Sequence, residues 1–422
     1  MRSSKKRTAP LRSVLSIVAL SCWVLSGQAQ GTPAAEPTGA ASLKQLFETA
    51  WQRQPEARAL QSRREAAQAQ AKAAGLLSPE APSLEISQRS DRMTGNNGAR
   101  EAEVGIAVPL WLPGQRTASA ELAQAEISFV ERRLLASQLR LASSVRDSWW
   151  TWQRARVDAE LAREQLINAR RLAADVAKRM QAGDLARSDQ HQAEGAVAAA
   201  EALAAQAQAA SDVAIAHLAA LAGGIAPTES TSTGVSEPSP GPSQPAHHPL
   251  LAELEDRVAV AERTANLIST QKRSNPELTI ATTRDRGAIG ERYGQTVLIG
   301  IRVPFGSGPR YDARIATAQA EAIEVQSQLT LEKDRIQADQ RGAAARVEAA
   351  RTQLNAAERR ARLARETRGF FDKSFRLGET DLPTRLRIEA EAVEAERQEA
   401  RSRIDLATAI SAWRQSLGLL PQ

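Results

Sequence analysis

The chain is poor in the residues that hold metals or build redox and catalytic centres. Its 422 residues include one cysteine, Cys22, and four histidines, His191, His217, His247 and His248. After the initiator, methionine occurs only at Met93 and Met180. A relay for soft metal ions needs more thiolate, thioether or imidazole ligands than this. The adjacent His247 and His248 lie in a Pro/Ser-rich stretch, where a solvated pair is expected rather than a built site. No Walker loop is present, Gly306-Ser307-Gly308 reads only as a strand-to-helix turn, and no Ser/His/Asp or Cys/His set stands out. Carboxylates are plentiful, but they lie on helix faces with nothing to single out an acid/base pair. These absences point away from an enzyme and from any resident cofactor or metal. The formal net charge of +6 arises from 55 Lys and Arg against 49 Asp and Glu, interleaved as on solvated helix faces. Nucleic acid is therefore not an expected partner.

Long apolar runs are also missing. The run from Val14 to Leu25 follows Arg2, Lys5, Lys6, Arg7 and Arg12 and is too short to cross a bilayer. Gly27-Gln28-Ala29 offers small residues for cleavage, so residues 1–29 read as a signal peptide and 30–41 as an N-terminal extension. Lipidation of Cys22 is the alternative, because Ala19-Leu20-Ser21-Cys22 loosely resembles a lipobox; Trp23-Val24-Leu25, which stays apolar past the cysteine, argues against it. If Cys22 leaves with the signal, the mature chain can form no disulfide.

What the chain does contain, it contains twice. Gly105-Ile106-Ala107-Val108-Pro109 returns as Gly300-Ile301-Arg302-Val303-Pro304, an offset of 195 positions. In the same register Ala118-x5-Gln124-Ala125-Glu126 returns as Ala313-x5-Gln319-Ala320-Glu321, Gly183 as Gly378, and Gly223 as Gly418. Two copies of one unit follow, residues 42–224 and 250–422, joined by a Pro/Ser-rich linker, 225–249, that should run over the outside.

Each unit opens with a helical stretch, Ser42 to about Leu77 in the first, closed by Pro79 and Pro82. The period then changes to alternation. Leu84 and Ile86, a turn at Thr94–Gly98, and Val104, Ile106 and Val108 predict a β-hairpin over about 83–109. Leu278 and Ile280, a turn at Arg286–Gly290, and Val297, Ile299, Ile301 and Val303 predict its counterpart over about 277–304. Pro109 and Pro304 stop the returning strands, since neither can donate a ladder hydrogen bond, and they mark the strand-to-helix turns. Proline is then absent from about Gln115 to Gln181 and from Tyr311 to Arg376, which predicts two helices near 100 Å long at about 1.5 Å per residue. Ile315, Ala322, Leu329, Ile336, Ala343, Ala350, Ala357 and Ala364 recur at steps of seven, a coiled-coil seam, with a stutter expected near Arg346. A glycine, Gly183 or Gly378, ends each long helix, and a return helix of about half its length follows. Packing of a long helix against two stacked shorter ones is the economical arrangement. Trp149, Trp150 and Trp152 are read as packing residues inside the first long helix, without assigned function.

Four strands with one apolar face cannot close a barrel, and open strand edges cannot face lipid with their N–H and C=O groups unpaired. Barrels of one chain begin at about eight strands, so at least two copies must combine, while three would give twelve strands. Leu84, Ile86, Val104, Ile106, Val108, Leu278, Ile280, Val297, Ile299, Ile301 and Val303 would face lipid; Glu85, Glu103, Gly105, Thr279, Gly300 and Arg302 would face a lumen. Trp111 and Phe305 stand where an aromatic belt would meet the inner membrane interface, with ordinary packing at the junction as the alternative.

This organisation resembles the TolC-like outer-membrane efflux proteins. The resemblance covers nearly the whole mature sequence and rests on Val108-Pro109, Val303-Pro304 and the helix-hairpin tips, where the family shows a V-G-x5-D type pattern. The first tip reads Ala182-Gly183-Asp184-Leu185-Ala186-Arg187-Ser188-Asp189; the second, Leu377-Gly378-Glu379-Thr380-Asp381-Leu382-Pro383-Thr384, has Thr384 at the Asp position. The resemblance implies a mainly α protein with a small β part, an α-helical tunnel of long antiparallel coiled-coil helices, and four strands per chain in a homotrimeric, twelve-stranded β-barrel. It implies a passive exit duct in the outer membrane of a Gram-negative bacterium, with most of its mass in the periplasm. Its partners would be outer-membrane lipid, a periplasmic adaptor (membrane fusion protein) and an inner-membrane pump of the RND type. Gly183, Asp184, Leu185, Asp189, Gly378, Glu379 and Thr380 would dock the adaptor. The Leu377-Gly378-Glu379-Thr380 turn is similar to the CzcC-like heavy-metal branch. Some relatives form acidic rings with D-x-x-D after this turn, where Thr384 and Arg387 stand here. Those two residues and Gln192 are the periplasmic gate candidates, Arg387 either attracting anions or pairing with Asp189 or Glu389, against a merely solvated arginine. Three other readings share some of these features: a soluble periplasmic coiled-coil adaptor, a structural envelope protein without a pore, and a duct for type I protein secretion.

Overall fold

The computed structural model describes residues 42–225, 227, 236–241, 248–306 and 308–422. The signal peptide, the N-terminal extension, His247 and most of the linker therefore lie outside the described residues.

Among the described residues eleven elements follow in chain order: α1 (Leu43–Arg53), α2 (Pro55–Ala74), β1 (Ser83–Ser90), β2 (Arg100–Pro109), α3 (Gln115–Gln181), α4 (Arg187–Leu221), α5 (Pro249–Thr270), β3 (Glu277–Arg286), β4 (Gly294–Arg302), α6 (Pro309–Arg376) and α7 (Leu382–Ser416). The entering helix of the first unit is not continuous as expected. Ser42 and Gln45 close a capping box that starts α1, and the chain breaks at Gln54, whose extended backbone (ψ 138°) lets Pro55 begin α2. Proline cannot supply the N–H that a through-going helix would need there. The second unit enters differently, directly at α5, whose first residue is Pro249.

The long helices run 67 and 68 residues, about 100 Å each. Helix α3 packs against α2, α4 and α5, while α6 packs against α5 and α7. Helix α5 thus lies against both long helices and ties the units together, an arrangement that pairing within each unit alone does not give. A core joins α1 (Leu43, Leu46, Phe47, Ala50), α3 (Leu141, Val145, Trp149, Trp150, Trp152), α4 (Ala214, Leu218) and α7 (Ile404). Trp149 and Trp152 meet edge to face, 5.2 Å between ring centres and 60° between planes, so the tryptophans pack as expected. Along α6, burial falls on Ala318 and Val325, then on Ile336, and then on the pairs Ala343/Val347 and Ala357/Ala361. The second seam position therefore moves from three to four residues past the first between Val325 and Val347, a stretch that includes Arg346, near which the stutter is expected.

The strands form one antiparallel sheet in the order β1-β2-β3-β4. The hairpins predicted over 83–109 and 277–304 join side by side through β2 and β3, from Pro109↔Glu277 to Arg100↔Arg286. Strand β4 ends at Arg302, so Pro304 lies just past the ladder while Pro109 is the last residue of β2.

Candidate functional site

Register turns the alternating sequence into two unlike faces. One face carries the cross-strand rows Val108–Leu278–Ile301, Leu84–Ile106–Ile280–Ile299 and Ile86–Val104–Thr282–Val297. Its side chains stand bare: Ile86 is 72% and Ile299 73% exposed. The other face carries Glu85–Gly105–Ala281–Leu298 and Ser83–Ala107–Thr279–Gly300, of which Gly105, Ala107 and Ala281 are covered. A Cβ on Gly105 would fall 2.9 Å from the Ala281 Cβ, so this face is crowded and glycine is required by close approach rather than by backbone torsion. Apolar outside and small or polar inside reverses the pattern of a water-soluble sheet. It matches a strand wall with lipid on one side. Among the described residues, strands β1 and β4 each leave one edge without a partner strand.

The two aromatics at the inner end of the strands differ. The Trp111 indole N–H donates to the Leu76 carbonyl at 3.0 Å, tying the end of β2 to the end of α2. Phe305 is 94% exposed.

At the opposite end of the molecule the tips share one construction. Gly183 (φ 88°) and Gly378 (φ 78°) adopt left-handed backbone, and the amides of Asp184 and Glu379 close back onto the carbonyls of Arg179 and Ser374 at 2.9 and 3.0 Å. The helices that follow are capped by complementary halves of a capping box. At the first tip the Asp189 carboxylate accepts from the Ala186 N–H at 3.0 Å; at the second, Asp381 accepts from the Thr384 N–H at 3.2 Å. Thr384 at the position of Asp189 is thereby explained, because Asp381 takes over the cap. Hydrogen bonding from Thr384 holds the Asp381 carboxyl below its ordinary pKa. Asp381 is not among the site residues expected from the sequence, although an Asp before a Leu-Pro start is a recognisable N-cap signal.

Leu185 is partly buried against Leu172, Val176 and Phe375 and so fills the tip core instead of lying open. Asp184, Gln192, Gly378, Glu379 and Arg387 are exposed, and the Thr380 hydroxyl meets that of Ser374 at 2.6 Å. Arg387 pairs with Glu391 one helical turn on, at 2.5 Å, and not with Asp189 or Glu389; Glu389 faces Arg368 at 3.6 Å. Between the two tip hairpins opens a cleft of about 860 Å³, bordered by Leu172, Ala193, Arg365, Arg368 and Asp372. At its base Phe375 is held between the guanidinium groups of Arg179 and Arg385, 4.9 and 5.0 Å from the ring centre.

The linker does not simply run over the outside. Glu237, 2% exposed, receives Arg146 of α3 in a two-pronged contact (2.7 and 2.9 Å), the Ser411 hydroxyl (2.5 Å) and the Arg414 Nε (3.2 Å) of α7. Arg414 also donates to the Pro238 carbonyl at 3.1 Å. A carboxylate shared by two buried arginines can be accommodated only because each charge is both paired and hydrogen-bonded. Neither is His248 solvated: both ring nitrogens are covered without a partner, and burial lowers its pKa toward the neutral form. Among the described residues no group of three His, Cys, Asp or Glu is placed to hold a metal, and no helix is long and apolar enough to cross a membrane.

Residues 46–224 match the family model described as outer membrane efflux protein. That segment, which is nearly all of the first unit, is similar to the outer membrane efflux proteins. The chain also shares its fold with solved channels along nearly its whole length. The outer membrane protein VceC from Vibrio cholerae aligns over 91% of this chain and 97% of its own, at TM-score 0.70 and 17% identity. CusC aligns over 89% and 92% at TM-score 0.73 and 18% identity, and the MtrE outer membrane channel of Neisseria gonorrhoeae, in its open state, over 90% and 89% at 0.68 and 16%. No curated protein matches the sequence at a significant level. The chain thus has the fold of these outer membrane channels.

Proposed function

We propose that three copies of this chain close their sheets edge to edge into a twelve-stranded barrel, continued by an α-helical tunnel, as the exit duct of a tripartite efflux pump. The observation that carries this reading is the apolar face running unbroken across all four strands between two unpartnered edges. Further copies are then needed to leave no backbone group unpaired in lipid, and three of them give twelve strands. The periplasmic adaptor docks at the tips, on the exposed Asp184, Gly378 and Glu379 and the cleft between the hairpins, and an inner-membrane pump of the RND type supplies the energy. The Leu377-Gly378-Glu379-Thr380 turn supports the CzcC-like branch and a cargo of heavy-metal cations or small toxic compounds. Such cargo would cross a water-filled lumen, since few soft or imidazole ligands are available to hold it. The signal peptide over 1–29 delivers the chain for export.

Gln192, Thr384 and Arg387 lie on the first turns beyond the tips, where a threefold constriction would form. Arg387 is balanced by Glu391, so Arg387→Asp would replace each neutral pair with two like charges. Planar-bilayer recording is the test. Wild-type protein should conduct, and the Arg387→Asp protein should shift toward cation preference; unchanged ion preference removes the gate assignment, and absence of conductance in both removes the duct.

A further inference from the structure

The sheet's bare face changes character toward the hairpin turns, at the end away from the helices. Beyond the row Ile86–Val104–Thr282–Val297, the next rows on the same face are Gln88–Ala102–Arg284–Gln295 and Ser90–Arg100–Arg286. Three arginines thus share the lipid-facing side of the wall. Tyr293, which immediately precedes β4, lies among them, with the Arg284 and Arg286 guanidinium carbons 4.7 and 5.1 Å from its ring centre. Arg286 donates through Nε to the Gly98 carbonyl at 3.0 Å, which fixes its direction.

No carboxylate among the described residues neutralises them. The Asp91 carboxylate is taken by the Gly98 N–H at 3.0 Å, and Glu291 accepts from the amides of Gly287 and Ala288 at 2.8 and 3.0 Å. Glu101, on the opposite face, pairs with Arg89 at 3.2 Å. Among the described residues Arg100, Arg284 and Arg286 have no ion-pair partner. Arginine on the outer side of a barrel is tolerated at the membrane interface and is costly deeper in lipid. A guanidinium stacked on an aromatic ring keeps its N–H edge free for bidentate contact with phosphate oxygens. Tyrosine is itself an interface residue.

We infer that Arg100, Arg284, Arg286 and Tyr293 form a binding site for the phosphate-bearing headgroup of a lipid in the leaflet away from the helices. The site rests on the barrel reading above. It anchors the rim of the duct in its own membrane, through charge on the outside of the wall and not in the lumen.

The test uses full-length exported protein purified in detergent, with diphosphorylated lipid A as probe, dephosphorylated lipid A as its control and inorganic phosphate as competitor. Native mass spectrometry reads bound lipid, and planar-bilayer conductance of the same samples reads the pore. Wild type should retain the diphosphorylated lipid about tenfold better than the dephosphorylated one. The R100Q/R284Q/R286Q protein should lose that preference while conducting normally; should it fail to assemble, R284Q alone carries the comparison. Equal preference in variant and wild type, or no preference in wild type that conducts, overturns the site. Complete displacement of the lipid by millimolar inorganic phosphate would make it a small-anion site and overturn the lipid assignment. Lack of conductance in every sample would instead fault the barrel.

Discussion

At the residue scale, the tips show how two copies of one unit diverge without losing a helix start. Asp189 reaches back to the Ala186 N–H, whereas Asp381 reaches forward to the Thr384 N–H, and each satisfies one donor that a helix N-terminus leaves open. Because the folded pKa of Asp381 is depressed, its contribution is present at neutral pH and is lost as pH falls through that value, below the usual aspartate pKa of about 3.9. Asp381→Ala should speed amide exchange in the first turn of α7 at neutral pH and leave exchange in α4 unchanged; the difference between wild type and variant should disappear at strongly acid pH. Equal protection in the two proteins at neutral pH would show that the cap is idle. The glycines of these tips were legible in the sequence because a left-handed turn after a long helix requires them. The pairing of Arg387 with Glu391 was not, because an exposed arginine can reach several acids and only rotamer and helix spacing choose among them.

At the element scale, the long helices and both hairpins could be read almost to the residue. Their signals are local: proline-free helix formers between a Pro or Gly stop at each end, and strict alternation in the strands. The break at Gln54–Pro55 was also written there, in a proline that ends a helix as readily as it starts one. What could not be read was long-range. The linker's composition says only that it lacks periodicity; that Glu237 meets Arg146 from α3 and Arg414 from α7 depends on how the two units pack. The same holds for α5 lying against both long helices. Removing one partner of a buried ion pair leaves charge without compensation, at a cost of about 3–5 kcal/mol. Glu237→Gln keeps the shape and removes the charge, leaving two buried guanidinium groups facing a neutral amide. It should lower the denaturation midpoint and expose the linker to proteolysis, whereas substitution of the exposed Glu379 should do neither. A linker equally protected in Glu237→Gln and wild type would mean that the cluster does not hold it.

At the scale of the whole molecule, the chain presents an incomplete surface. A face of isoleucines, leucines and valines stands bare across four strands, the crowded opposite face holds glycine and alanine, and two strand edges end without partners. Much of α6 is similarly uncovered, with Ile323, Leu331, Leu363 and Phe370 all more than 60% exposed. On the proposed reading, lipid and sister copies complete what one chain leaves open; the channels that share the fold are outer-membrane proteins. The mass of the detergent-purified complex tests this most directly. Three chains per particle, with the protein insoluble once detergent is withdrawn, is the result expected; a single chain that stays monomeric and soluble in water would contradict the duct.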